Sequence, residues 1–356
     1  MDFQEKLELI KQVGEEILTE EELIELLKTK KKIVAYDGFE PSGKIHIAQG
    51  LVRAQNIKKL MNADIDFVLF VADWFAYINN KLGSNMENIK TAGEYFIETW
   101  KACGVDVDKI KVKWASDNIK DPEYWNKVIN IAKNTTINRV TRCAEIMGRT
   151  EKEAQYSSMI FYPCMQAADI FYLDVDIAQL GMDQRKVNVL AREVAPKFGW
   201  KKPVAIHHHM LMGLGEPPKD IEGAEKAIAL KMSKSKPDTA IFMTDSPQEV
   251  EKKIKNAYCP ANKVSENPII EYCKYIIFEN YDKLEIKRPE KFGGDITVKN
   301  FGELIQLYSQ GKIHPLDLKN SVAEKINELL DPVRKHFKKG KAKKLLEKVE
   351  SFEVTR

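Results

Sequence analysis

Cysteine is scarce in this sequence and forms no framework. Cys103, Cys143, Cys164, Cys259 and Cys273 are odd in number, widely scattered and never paired as Cys-x-x-Cys, which argues against a disulfide scaffold or a thiolate zinc site and suits a reducing compartment. No run approaches the roughly 18 consecutive apolar residues of a membrane-crossing helix. Residues 1–22 are acidic and amphipathic rather than basic and then apolar, so a mature cytoplasmic protein is expected, with no membrane partner. Internal repeats and low-complexity linkers are missing as well. So is an excess of one charge: 56 basic against 53 acidic residues leave +3, and net charge alone identifies no polyanion partner.

What is present is enough for a packed interior, with 44% apolar residues, and at 356 residues the chain suggests two domains, one larger than the other. Phe3, Leu7, Ile10 and Ile17 fall near a helical period, and Thr19 with Glu22 has the form of a capping box that opens a second helix through Lys28. Short β-type runs at 33–36, 67–71, 112–114, 175–180 and 204–206 then alternate with helical stretches, which predicts a parallel sheet with helical crossovers. Between the first two runs, the turn Glu40-Pro41-Ser42-Gly43 precedes a helix face formed by Ile47, Leu51, Ala54, Ile57 and Met61. Strand, turn and helix in that order form a nucleotide-binding unit. Asp121-Pro122 reads as an N-cap followed by proline at the first helical position, opening a long helical block through about Gly148. After Ser235 strand-like runs give way to helical ones, starting with Ser246-Pro247-Gln248-Glu249. The expected division is therefore 1–238, with a helical insertion at about 118–160, and 239–356. Arg334, Lys335, Lys338, Lys339, Lys341, Lys343 and Lys344 crowd one stretch near the end, as a solvated helix face or a phosphate-backbone contact.

Three clusters carry chemistry. Lys231-Met232-Ser233-Lys234-Ser235 offers two ammonium groups and two hydroxyls that could close over phosphates; by composition alone it is an ordinary mobile loop. Tyr162, Gln166 and Asp169 are spaced i, i+4, i+7 and share one helix face, with Pro163 placing the helix start there; a buried helix N-terminus with satisfied polar groups is the plainer reading. Gly181-Met182-Asp183-Gln184-Arg185-Lys186 follows the fourth β-type run, where ligands bind in open parallel sheets, although a strand-to-helix turn would look the same. His207-His208-His209 invites a metal assignment that strand geometry opposes, since successive side chains point to opposite faces; no metal site is expected.

The string from Lys231 to Ser235, read with His46-Ile47-Ala48-Gln49, resembles the two signatures of class I aminoacyl-tRNA synthetases. Ala48 stands where the first signature has glycine, and the neutral Gln49 where it has a second histidine. The segment Tyr36-Asp37-Gly38-Phe39-Glu40-Pro41-Ser42-Gly43 resembles the tyrosyl branch of archaea and eukaryotes, and the likeness runs from about Glu20 to Phe337. It implies a Rossmann-like parallel sheet catalytic domain with a mainly α-helical C-terminal anticodon-binding domain. It also implies activation of L-tyrosine with ATP and Mg2+, transfer of the tyrosyl group to the 3′ end of tRNA(Tyr), and a homodimer.

By the same resemblance, His46, Lys231, Ser233, Lys234 and Ser235 serve catalysis. Tyr162, Gln166 and Gln184 would hold the substrate α-amino group, and Tyr36 and Asp169 its phenolic hydroxyl. ATP would meet Gly38, Glu40, Gly43, His46 and Gln49, with Gly181 and Asp183 at the ribose, Met210, Leu211 and Met212 at the adenine, and Lys231 and Lys234 at the phosphates. The change at Gln49 would shift more phosphate charge onto those two lysines. For tRNA, Arg139 and Arg142 are candidates for the acceptor stem and Arg185 for the acceptor end. Phe292 would stack on a base, Asp317 would accept from guanine and His314 would support that pocket. Rival readings are a tryptophanyl-tRNA synthetase, a small adenylyltransferase and a catalytically silent paralogue that binds RNA or protein.

Overall fold

The computed structural model describes residues 1–148, 156–221, 226, 229–234 and 236–353. Six strands form one sheet: β1 (Glu16–Leu18), β2 (Val34–Phe39), β3 (Asp66–Val71), β4 (Lys111–Trp114), β5 (Ile177–Gly181) and β6 (Val204–His208), in the order β1-β6-β5-β2-β3-β4. Every pairing is parallel except the edge strand β1, which runs antiparallel to β6. The chain leaves β2 towards β3 and β4, then returns to the other side of β2 as β5. That reversal opens a crevice at the carboxyl ends of β2 and β5.

The strands are apolar along most of their length because both faces are covered. Their alternation still sorts the two cores. Ala35, Phe67, Leu69, Val71 and Ile177 join an apolar cluster on one face, while Tyr36, Val68, Phe70, Ala178 and Leu180 join a second cluster. The first cluster continues through residues 239–349, including Ile254, Tyr272, Leu318 and Leu345, so the expected division near 238–245 crosses a shared core. The second packs the insertion helix Pro122–Lys133 against the helix Ser157–Tyr172.

Local signals hold where a side chain satisfies a specific backbone group. Thr19 and Glu22 form the expected capping box on Glu20–Thr29, Asp121 caps Pro122–Lys133, and Ser246 with Glu249 caps Pro247–Asn256. Four expectations change. The first helix ends at Lys11, and Ile17 lies in β1. Gly14 accounts for the turn, because a Cβ there would stand 2.7 Å from Ile206 Cγ2. The helical block after Pro122 breaks at Lys133, and Thr136 caps a separate short helix, Ile137–Thr141. The helix expected to start at Pro163 starts at Ser157, with the proline inside it. Tyr162, Gln166 and Asp169 therefore lie along the body of a helix, not at its N-terminus. Finally, the helical second half contains a hairpin of β7 (Leu284–Ile286) and β8 (Ile296–Val298).

Gly93, inside the helix Met86–Ala102, marks a close helix-to-sheet approach on the first face: an added Cβ would lie 2.7 Å from Trp114 Cη2 and 2.9 Å from Val71 Cγ1. An indole ring cannot fold away as a flexible chain can. Gly93→Ala is expected to destabilise the fold by about 1–3 kcal/mol through overpacking. Urea unfolding would show this as a lower midpoint, and an unchanged midpoint would mean that the indole yields freely.

Candidate active site

A cavity of about 780 Å³ occupies the crevice, and most of the residues singled out from the sequence line it. At its inner end Tyr36, from β2, and Asp169, from the helix Ser157–Tyr172, are both almost fully buried. Asp169 Oδ1 accepts from Asn118 Nδ2 at 3.4 Å and the Tyr124 hydroxyl lies beside the same carboxyl, while Asp169 Oδ2 and Tyr36 Oη make no hydrogen bond of good geometry among the described residues. Burial pushes the Asp169 carboxyl well above the usual carboxylate range, and it raises the Tyr36 phenol as well, with the nearby Asp169 and Asp37 carboxylates adding to the shift.

Beside them, Tyr162 Oη donates to Glu40 Oε1 at 2.5 Å, and Asn79 Nδ2 donates to both Glu40 oxygens at 3.1 Å. Gln166 Nε2 reaches Gln184 Oε1 at 3.0 Å, and Gln184 Nε2 reaches the Ile146 carbonyl at 3.1 Å. The turn after β5 is thereby tied to the central helix and to the insertion. Phe75 stands edge-on to the Tyr162 ring, with centroids 4.8 Å apart, and closes the apolar side.

At the outer end lie the two signature segments. Residues 241–243 bind the first one: Ile47 N–H donates to the Ile241 carbonyl and Met243 N–H to the Ile45 carbonyl, each at 2.9 Å. The stretch that follows the lysine loop is thus the strand partner of the histidine turn. His46 is buried, and desolvation, followed by the charges of Lys234, Arg53 and Lys231, holds its imidazole well below the ordinary value and hence neutral. Lys231 Nζ pairs with Asp183 Oδ2 at 2.9 Å. Burial alone would raise the Asp183 carboxyl, but the Lys231 ammonium brings it below the usual value. Lys234 Nζ donates to Ser42 Oγ at 2.9 Å and sits 4.7 Å from the Phe96 ring centroid. Desolvation, with help from Lys81 and Arg53, depresses its ammonium well below the ordinary value. A bound polyanion would reverse that shift, since an opposite charge favours the protonated form.

Gly38, Gln49, Met210, Leu211 and Ser233 also line the cavity. Gly43, Gly181 and Met212 do not line it. Gly43 turns the loop at φ 95°, and an added Cβ on Gly181 would lie 2.5 Å from Met210 Sδ. Ser235 lies outside the described residues. Three cationic wall residues, Arg53, Lys81 and Lys236, stand outside the expected set. Arg53 lies one helical turn beyond Gln49 and donates through Nη1 to Asp37 Oδ1 at 3.2 Å and to the Gly38 carbonyl at 3.0 Å. Lys81 comes from the turn before the helix Met86–Ala102. The i, i+4 relation to Gln49 was the available signal for Arg53; nothing near Lys81 in the sequence distinguishes it from a surface lysine.

The three consecutive histidines diverge. His207 meets Glu16 and Asn188, His208 meets Gln179 at 2.6 Å, and His209 meets Glu15 while stacking on Tyr275. Among the described residues no three His, Cys, Asp or Glu side chains form a group that could hold a metal ion.

Arg139, Arg142 and Arg185, drawn from two separate stretches of sequence, meet at a second cavity of about 400 Å³, together with Lys186 and Glu193. Arg139 pairs there with Glu193 at 3.0 Å, and Arg185 with Glu16 at 2.8 Å. In the second half, Phe292 is 62% exposed on the connection of the β7–β8 hairpin. His314 Nδ1 accepts the Leu316 N–H at 3.2 Å and so caps the helix Pro315–His336, whose first turn holds Asp317. Arg288 links the two loops, bonding the carbonyls of Gly294 and Lys312 at 2.8 Å each.

His208 gives a pH test. Burial pushes its pKa down to about 3, so between about pH 6.5 and 3 the unfolded chain binds a proton that the native state refuses, and stability falls as pH drops through that window. At pH 5 this loss reaches about 2 kcal/mol. His208→Gln should therefore lose about 2 kcal/mol less stability than the parent between pH 7 and pH 5. Equal losses in urea unfolding at the two pH values would contradict the buried, neutral ring.

Residues 28–331 match the family model for tRNA synthetases class I (W and Y). A tyrosine–tRNA ligase of Sulfurisphaera tokodaii is 47% identical over 339 residues, covering 94% of this chain and 93% of its own length. The cytoplasmic tyrosine–tRNA ligase 1 of Arabidopsis thaliana is 45% identical over 359 residues, covering 100% of this chain and 90% of its own length. Among solved structures, the tyrosyl-tRNA synthetase of Pyrococcus horikoshii complexed with L-tyrosine superposes with a TM-score of 0.91 at 43% identity, covering 99% of this chain and 100% of that one. With the two signature segments meeting at the switch point of its sheet, the chain belongs to the class I tRNA synthetases of the W and Y group, on the tyrosine–tRNA ligase branch found in archaea and eukaryotes.

Proposed function

We infer that the chain is a tyrosine–tRNA ligase: it activates L-tyrosine with ATP, giving tyrosyl-adenylate and pyrophosphate, and passes the tyrosyl group to the 3′ end of tRNA(Tyr). The observation that carries the tyrosine assignment is the pair of buried, unpartnered atoms at the inner end of the cavity, Tyr36 Oη and Asp169 Oδ2. A phenolic hydroxyl accepts from one and donates to the other. An indole N–H can only donate, and a phenylalanine ring does neither, so both leave a buried polar group unsatisfied.

In this reading Tyr162, Gln166 and Gln184 take the α-amino group. ATP lies along Gly38, Glu40, His46 and Gln49, with Asp183 at the ribose and Met210 and Leu211 at the adenine. The tyrosine carboxylate attacks the α-phosphate, and no covalent enzyme intermediate is required. Lys231 and Lys234 meet the phosphate charge as pyrophosphate departs, and neutral His46 donates a hydrogen bond in a desolvated site. Gly43, Gly181 and Met212 shape the nucleotide site from behind, and Ser233 and Ser235 belong to the closing loop. Mg2+ would enter with the nucleotide phosphates, a mode that suits an ion which keeps several waters, rather than occupy a protein cage.

The second cavity, with Arg139, Arg142 and Arg185, suits the acceptor arm of the tRNA, and Phe292, His314 and Asp317 suit its anticodon, which divides the work between 1–238 and 239–356. A homodimer and a cytoplasmic location complete the reading. Trp125 and Ile129, one turn apart on the insertion helix, are 37% and 51% exposed and offer a second copy an apolar stripe.

ATP–pyrophosphate exchange measured with each amino acid in turn tests the assignment: tyrosine alone should drive it, and exchange driven by tryptophan would overturn it. Lys234→Ala should slow adenylate formation by roughly 10²–10³-fold, the usual loss for one well-placed electrostatic donor, with tyrosine affinity nearly intact. Weakened tyrosine binding with normal chemistry would remove Lys234 from the phosphate site. Asp169→Asn should erode discrimination between tyrosine and phenylalanine in the same exchange assay, and unchanged selectivity would exclude Asp169 from the specificity pocket.

A further inference from the structure

The nucleotide wall is held from the far half of the chain. Met212 sits directly after the lining residues Met210 and Leu211, and both of its peptide groups are engaged by neighbouring residues of the short helix Pro268–Tyr272. Its N–H donates to Glu271 Oε1 at 2.5 Å, and its carbonyl accepts from Tyr272 Oη at 3.1 Å. Tyr272 is fully buried. The same Glu271 oxygen stands 3.0 Å from His209 Nε2, and the His209 ring lies flat on Tyr275, 4.1 Å between centroids and 4° between planes.

The clasped stretch is also the strand partner of the lysine loop. Met232 N–H donates to the Leu211 carbonyl at 2.9 Å, Gly213 N–H to the Leu230 carbonyl at 2.8 Å, and Met212 faces Lys231 across an antiparallel bridge. One carboxylate therefore fixes a backbone that has the nucleotide cavity on one side and the lysine loop on the other.

We propose that Glu271 is a positioning residue for the nucleotide site, acting from the C-terminal half on residues 210–212 and, through them, on the placement of Lys231. This rests on the reading that ATP binds between that wall and the lysine loop. Met212 is buried, so water cannot replace a lost acceptor, and an N–H left unpaired would pull the wall out of register with the loop. Because Glu271 touches neither substrate, its loss should act on ATP and spare tyrosine. The feature that matters is the acceptor oxygen, which glutamine retains and leucine lacks.

The test uses the full chain with Glu271→Leu, Glu271→Gln and Tyr272→Phe. The Michaelis constants for ATP and tyrosine are read from pyrophosphate exchange, and ATP affinity without any amino acid from equilibrium dialysis. Glu271→Leu should weaken ATP by roughly tenfold on both measures, the equivalent of one lost hydrogen bond, and leave the tyrosine constant unchanged; Glu271→Gln should stay within about threefold of the parent. Should the leucine variant fail to fold, Tyr272→Phe removes the other half of the clasp with little change in volume, and it too should raise the ATP constant alone. The proposal is overturned if ATP binding is unchanged in Glu271→Leu, or in Tyr272→Phe where the leucine variant does not fold, if both constants rise together, or if glutamine is as damaging as leucine. A parent that binds ATP but shows no tyrosine-dependent exchange would instead sink the ligase reading, while the dialysis still decides on the clasp.

Discussion

The site depends on one pairing, the parallel contact of β2 with β5. Ala35 and Tyr36 pair with Ile177 and Ala178, and this short ladder joins two halves of a sheet that were built in opposite directions. Beyond it Gly38 continues β2 and Glu40 follows it, Asp183 and Gln184 follow β5, and the crevice opens between them. The helix Ser157–Tyr172 supplies the floor, and alternation along β2 turns Tyr36 towards that helix while Ala35 faces the other core. A slip of one residue in this ladder would exchange those faces and remove Tyr36 from the cavity.

Desolvation then sets the chemistry. Asp169, Asp37, His46 and Lys234 are all displaced towards their neutral forms, with Asp37 raised to about 6 although it contacts Arg53. Groups buried without full compensation hold their geometry at a cost in stability, and a ligand that supplies the missing partner recovers part of that cost. A ligand that carries the matching donor and acceptor would be bound and selected by the same atoms whose burial costs stability.

The chemistry of the site was more legible in the sequence than its scaffolding. Capping boxes at Thr19 and Ser246 could be read because they satisfy backbone groups within three residues, and the strands at 67–71 and 204–206 because buried parallel strands are continuously apolar. The edge strand β1 could not be read: three residues carry no period, and its pairing with His207, Ile206 and Ala205 is contact across nearly 200 residues. Pro163 misled for a different reason. A proline inside a helix removes one hydrogen bond and normally marks a start, but packing of Tyr162, Cys164 and Met165 against the second core outweighs that local cost here. Glu40 and Gln184 could be named as ligand groups, yet their partners Tyr162, Asn79 and Ile146 are products of the tertiary fold.

The glutamine at position 49 sits in a wall whose charge comes from beyond its own signature. Judged from its four-residue signature, the loss of a second histidine concentrates phosphate charge on Lys231 and Lys234. The folded wall is broader than the signature. Arg53, anchored by Asp37 and the Gly38 carbonyl through Nη1 alone, brings a guanidinium to it, and Lys81 stands close enough to Lys234 to depress its ammonium. A histidine at position 49 would enter a field already set by Lys234, Arg53 and Lys231, whose repulsion adds to the burial that holds His46 neutral. Such a second imidazole would add a hydrogen-bonding group and little charge. A glutamine amide supplies the same kind of group without titrating, so the cationic character of this cavity rests on Arg53, Lys81 and the lysine loop together and not on the signature histidines.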